Sequence, residues 1–167
     1  MVGTSRTDPA VLEALYGWME TLGKAPVAVR RDVPGFVANR LQYALLREAW
    51  ALVEAGVCSY ADLDRVLTRG LGARWAAIGP FQTVDLAGLD IHLAVAENLF
   101  PELANEREAP RLLAETVADG ALGTKSGRGL LGTYGPEDRT RLVARRDRML
   151  RAVARLHREG DEPAAPE

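Results

Sequence analysis

The chain is short of several things, and each shortage closes off a class of protein. Of its 167 residues one is cysteine, Cys58. No internal disulfide can form, and a single thiol fits a reducing compartment. Cys58 has no histidine or basic residue beside it in sequence to make it a nucleophile. Histidine occurs twice, as His92 and His157, and His92 lacks a partner at metal-ligand spacing. No metal site is expected. Neither charge sign dominates: 21 Lys and Arg stand against 23 Asp and Glu, for a formal charge of −2, and both signs are spread along the chain. Nothing in that balance marks a nucleic-acid-binding face or an acidic solvating tail. Apolar runs stay well short of the ~18 residues of a membrane span. Met1-Val2-Gly3-Thr4 carries no apolar signal segment. The expectation is a cytoplasmic protein with neither nucleic acid nor membrane as partner.

What is present is a globular composition, 47% hydrophobic, at the length of one ordinary domain. The periodicity is mainly helical. Thr7 is the expected cap of a first helix, with Asp8 at its positive end and Pro9 in the first turn, Val11, Leu12, Leu15, Met19 and Leu22 at helical spacing, and Gly23 as its stop. Residues 25–30 form the one short segment with strand character. A lone strand leaves its backbone groups unpaired, so this one pairs with another chain or is the remnant of an upstream sheet. After the turn at Asp32-Val33-Pro34-Gly35, a long helix is expected over 36–55. Ser59 and Asp62 cap a short helix to about Thr68. Residues 70–80, with two glycines and a Gly-Pro break, read as a loop. Helices follow over 81–100 and 110–121, then a loop over 123–135 with Gly123, Gly127, Gly129, Gly132 and Gly135, then a last helix from Pro136 to about His157. The end of the chain, 159–167, with Pro163 and Pro166 among acids, reads as a disordered tail.

Three motifs then stand in order. The first is Gly23-Lys24-Ala25-Pro26-Val27 leading into Asp32-Val33-Pro34-Gly35-Phe36-Val37-Ala38-Asn39-Arg40-Leu41. The second is Gly79-Pro80-Phe81 followed by Asp85 and Gly88-Leu89-Asp90, and the third is Gly123-Thr124-Lys125-Ser126-Gly127-Arg128-Gly129. In this order and spacing the chain resembles the C-terminal part of 3-hydroxyacyl-CoA dehydrogenases and their relatives acting on other 3-hydroxy acids, over residues 3 to 134. Thr4-Ser5 and Thr7 resemble the threonine-rich stretch before the last helix of the family's nucleotide-binding domain. The resemblance implies a mainly α fold, a helical dimerisation and substrate domain of the 6-phosphogluconate-dehydrogenase-like C-terminal type with one remnant strand near its N-terminus. On that reading residues 1–33 are the end of a nucleotide-binding domain, and residues 34–158 are the helical domain.

The family binds NAD on a Rossmann domain with a glycine-rich fingerprint, which also supplies a catalytic His–Glu pair. No such fingerprint follows a strand here, and neither His92 nor His157 sits in the family's catalytic context. NAD is therefore expected in a complete enzyme and not on this chain alone. The resemblance also implies a homodimer, a nucleotide-binding domain upstream or separate, and an acyl-CoA or hydroxy-acid substrate. Residues 73–80 are closer to relatives that handle small hydroxy acids. A non-catalytic dimerising or subunit-interaction module derived from the family is the competing reading.

The resemblance carries roles to particular residues. Asn39 matches the asparagine whose amide donates to the developing carbonyl oxygen of the substrate. Read by itself, it is a polar residue in the first turns of a helix, satisfied locally. Arg40 can clamp a carboxylate or phosphate, or lock Asp32 or Glu48 and fix the local geometry. The structural role is the favoured one. Lys125 matches a lysine on the cofactor side of the family's cleft, and by itself is a solvated lysine in a loop. Pro80 and Phe81 match the wall of the acyl pocket. By themselves they are a helix start with Phe81 in the core. Trp18, Trp50 and Trp75 are read as core or interface packing residues, and Asp85 and Asp90, five apart, make no paired-carboxylate site.

Overall fold

The computed structural model of the chain describes residues 1–4 and 6–160. Ser5 and the tail from Asp161 onward lie outside the described residues, and the final helix carries 159 and 160. The chain divides into two compact units, Met1–Arg47 and Glu48–Glu167.

In the first unit, helix α1 spans Pro9–Thr21. Its cap is Asp8, not Thr7: the Asp8 carboxylate accepts from the Ala10 N–H at 2.9 Å. Pro9 explains the choice, because the residue before a proline is pushed into extended backbone, which is the conformation of an N-cap. The Thr7 hydroxyl instead accepts from the Thr4 N–H at 3.0 Å. Gly23, at φ 68, closes the helix, and Lys24 N–H returns to the Met19 carbonyl at 2.9 Å. The expected strand over 25–30 reduces to a single parallel bridge between Val29 and Val2. Val29 N–H donates to the Met1 carbonyl at 2.8 Å, so its partner is the chain's own first residues.

A tight turn follows. Phe36 N–H donates to the Val33 carbonyl at 2.9 Å, with Pro34 and Gly35 between them and Gly35 at φ 81. Proline then glycine in these places is the requirement of a type II turn. Phe36 itself holds φ 49, the one non-glycine residue at positive φ among those described. Such a conformation costs on the order of 1 kcal/mol and gathers near functional sites. From it springs α2, Phe36–Glu54, whose first three turns belong to this unit. A Cβ at Gly35 would meet Arg40 Cγ at 3.5 Å and Asn39 Cβ at 3.6 Å, ordinary contact distances. Gly35→Ala should therefore destabilise through backbone strain alone, by about 1–2 kcal/mol. A urea-unfolding midpoint that does not move would remove this account of the turn.

The second unit takes the rest of α2, then α3 (Tyr60–Val66), a π turn (Leu67–Leu71), α4 (Gly72–Ala77), α5 (Pro80–Ala87) and α6 (Leu89–Leu99). Ser59 caps α3 as expected, accepting from the Asp62 N–H at 3.1 Å. The stretch read as a loop over 70–80 is largely helical. Gly72 is there for room, since a Cβ would stand 2.7 Å from the Leu67 carbonyl oxygen inside the widened turn. The run read as one helix over 81–100 is broken by Gly88 at φ 104. Helix α7 (Arg111–Ala118) hangs on α2: Leu112 N–H donates to Glu54 at 2.8 Å, and the preceding loop's Ala104 N–H donates to Glu48 at 2.7 Å. An antiparallel hairpin, β1 (Arg128–Gly129) with β2 (Gly132–Thr133), occupies the glycine-rich loop. Helix α8, Asp138–Gly160, ends the described chain. Trp50 packs edge-on against Tyr60, ring centroids 5.6 Å apart. Trp18 and Trp75 are exposed rather than in a core.

Very little of the apolar content is covered. Among the described residues only Ala49 and Ala121 count as buried hydrophobic side chains, while Phe81, Leu86, Leu89, Leu93 and Phe100 are exposed. None of the described helices is long and apolar enough to cross a membrane.

Candidate functional site

The most concentrated polar constellation in the first unit lies where α2 begins. Pro34, Gly35, Asn39, Arg40, Tyr43, Ala44 and Arg47 line a groove of about 490 Å³. Helical spacing puts these residues together. Positions 40, 43, 44 and 47 recur every three or four residues, so they form one stripe along α2. The strained turn at Gly35-Phe36 sets the angle at which that stripe meets the preceding chain.

Asn39 is exposed, and its carboxamide makes no hydrogen bond among the described residues. The local satisfaction expected of a polar residue in a first turn does not occur, and both amide donors remain free for a ligand. Arg40 behaves likewise. Its two candidate partners do not hold it: Asp32 forms no ion pair among the described residues, and Glu48 accepts from the Ala104 N–H. The structural role favoured for Arg40 is therefore not the one seen. Tyr43 and Arg47 share the groove, and the sequence pattern does not single them out, because the apolar stripe of the same helix dominates it. The signal that could have found them is the seven-residue spacing of two arginines around a tyrosine.

The other sequence candidates belong to the second unit. Lys125 is exposed in the turn ahead of β1, without an ion pair among the described residues. Its neighbour Ser126 holds the turn together: its hydroxyl accepts from the Leu122 N–H at 2.7 Å and donates to the Arg128 carbonyl at 3.2 Å. Pro80 is the first residue of α5, where the Gln82 side chain accepts from the Gly79 N–H at 3.3 Å. Phe81 is 84% exposed, which overturns its reading as a core residue. A second, more apolar cavity of about 710 Å³ lies between α4 and the end of α8, lined by Trp75, Ile78, Met149, Val153, Leu156 and His157 among others. His157 Nε2–H donates to the Ala76 carbonyl there, which gives that histidine a docking role. No cluster of three or more His, Cys, Asp or Glu able to hold a metal occurs among the described residues.

A dinucleotide needs backbone donors presented by a glycine fingerprint at a helix start. The glycines around Lys125 instead form a hairpin after α7, so the described residues do not fit such a cofactor.

The chain is 40% identical over 156 residues to 5-formyl-3-hydroxy-2-methylpyridine 4-carboxylate 5-dehydrogenase of Mesorhizobium japonicum, covering 93% of this chain and 50% of that protein. It is 37% identical over 175 residues to L-carnitine dehydrogenase of Streptomyces griseus, covering 98% of this chain and 50% of the relative. The crystal structure of a 5-formyl-3-hydroxy-2-methylpyridine 4-carboxylic acid 5-dehydrogenase, described as an NAD+-dependent dismutase, superposes with a TM-score of 0.86 at 40% identity over 93% of this chain and 50% of that one. The chain thus spans about half the length of these relatives. A family model for the C-terminal domain of 3-hydroxyacyl-CoA dehydrogenase matches residues 35–132, from the turn glycine into the hairpin, and by that match and these identities the chain belongs to the 3-hydroxyacyl-CoA dehydrogenase family.

Proposed function

We propose that the chain is the substrate-binding and dimerisation part of an NAD-dependent dehydrogenase acting on a 3-hydroxyacyl-CoA or a related 3-hydroxy acid. The observation that carries this is the free carboxamide of Asn39 in the groove at the start of α2. In the reaction the alcohol carbon loses a hydride, the hydroxyl loses its proton to a base, and the oxygen becomes a carbonyl. An amide N–H aimed at that oxygen stabilises the charge that develops on it. A base and a cradle for NAD belong to a nucleotide-binding domain, for which residues 1–33 would be the closing segment and 34–158 the helical domain docked against it. Lys125 would approach the cofactor side of the shared cleft, and Pro80 and Phe81 would wall the acyl end. The exposed apolar faces of α2, α5 and α6 support a homodimer formed through these helices.

NADH formation from a short 3-hydroxy acid or 3-hydroxyacyl-CoA tests the reading. The chain alone should give no turnover and no NAD affinity by calorimetry, since one lysine supplies too little to offset the entropy of association. A matching nucleotide-binding domain, added in trans or fused, should restore turnover. Lys125→Ala should then raise the cofactor KM with kcat little changed. Turnover by the chain alone, or none with the added domain, would overturn the proposal.

A further inference from the structure

The groove at Asn39 carries more than an amide. Arg40, Tyr43 and Arg47 line it as well, no acidic side chain does, and none of the three has a hydrogen-bond or ion-pair partner among the described residues. Two guanidinium groups facing one groove repel each other unless an anion joins them. Their spacing suits one small anion. The Cα atoms are about 10 Å apart along the axis, seven residues at the helical rise. The two lie on one stripe of α2, and an arginine stem is long enough for both guanidinium groups to reach one small anion over the Tyr43 turn.

We infer that Arg40 and Arg47, with the Tyr43 hydroxyl, form an oxyanion clamp that holds the free carboxylate of a small 3-hydroxy acid beside Asn39, and so set the enzyme's choice of free acid over thioester. The inference rests on Asn39 facing the substrate, as proposed above. The same cations could meet a phosphate of a CoA, but Arg40 adjoins Asn39 in sequence and in the groove. The anion is therefore held close to the reacting hydroxyl, whereas the pantetheine arm carries the phosphates of a thioester far from its acyl carbons. A carboxylate accepts bidentate bonds from guanidinium in the plane of both groups, and a neutral thioester carbonyl leaves both cations unanswered.

The test titrates the isotope-labelled chain with 3-hydroxybutyrate, its primary amide and free CoA, following the Arg Nε–H and Asn39 amide signals by NMR. The acid should shift the signals of Arg40, Arg47 and Asn39 saturably and bind at least about tenfold more tightly than the amide. Arg47→Gln should abolish that preference, with helicity by circular dichroism unchanged, and Arg47→Lys should retain part of it. Equal binding of acid and amide, no saturable shift with the acid, or displacement of the acid by CoA would each overturn the clamp. Binding needs no hydride transfer, so the two readings fail separately. Absence of turnover with an added nucleotide-binding domain sinks the dehydrogenase reading. Turnover without acid preference sinks only the clamp.

Discussion

Asn39→Ala, measured with a nucleotide-binding domain supplied, should lower kcat by on the order of a hundredfold or more, as loss of one preorganised donor to a developing oxyanion does. The size of the effect comes from when the hydrogen bond matters. A ground-state alcohol is well served by water, and only as its oxygen takes on carbonyl character does a fixed donor in a closed site gain over solvent. The loss should fall on kcat and kcat/KM together, with KM for the substrate nearly unchanged. Fold stability should hardly move. The side chain is exposed and makes no hydrogen bond among the described residues, and alanine is the better helix former at that position. An unchanged melting temperature beside the lost rate separates this role from a structural one. Asn39→Asp is the sharper variant, because it keeps the volume and replaces the donor by an acceptor that repels the forming oxyanion. A complemented Asn39→Ala enzyme with unaltered kcat would take away the role assigned to this residue.

The turn ahead of Asn39 and the length of α2 are legible in the sequence because local rules fix them. Pro34-Gly35 dictates the turn, and the helix expected over 36–55 differs by one residue from Phe36–Glu54. Ser59 announces its helix in the same way. Glycine misleads when it is read as a stop without regard to its neighbours. Gly72 makes room inside a continuous helical stretch, whereas Gly88, at φ 104, breaks a run that looks uniform. Apolar periodicity marks which residues want cover but does not say who covers them, and so the pattern assigns Phe81 to a core that this chain does not complete. Arg47 is not legible because a charged residue on an exposed helical face is ordinarily a solvated one. Only its sharing of a groove with Arg40 and Asn39 gives it another meaning.

The second large effect concerns that missing cover. Helix α6 exposes Leu89 and Leu93 on one side and Ile91, Val95 and Leu99 on the other. Each residue turns the helix by about 100°, so two residues that are two positions apart face nearly opposite ways. Ile91 and Leu93 stand in that relation. A helix apolar on both sides is not stable lying on a surface in water, and a second copy of the same chain presents the same uncovered helices in return. The chain should therefore run as a dimer at micromolar concentration in size-exclusion chromatography with light scattering. A Leu93→Asp, Val95→Asp double variant puts a carboxylate on each face. An unpaired carboxylate enclosed in an apolar contact costs several kcal/mol, so the dimer dissociation constant should rise on the order of a thousandfold, leaving monomer at the same concentration. Far-ultraviolet circular dichroism of the variant should fall with the dimer, because the two small hydrophobic side chains buried among the described residues, Ala49 and Ala121, are too little core to hold the helices together in isolation. A wild-type chain that is monomeric at micromolar concentration, or a double variant that keeps the dimer mass, would remove α6 from the interface.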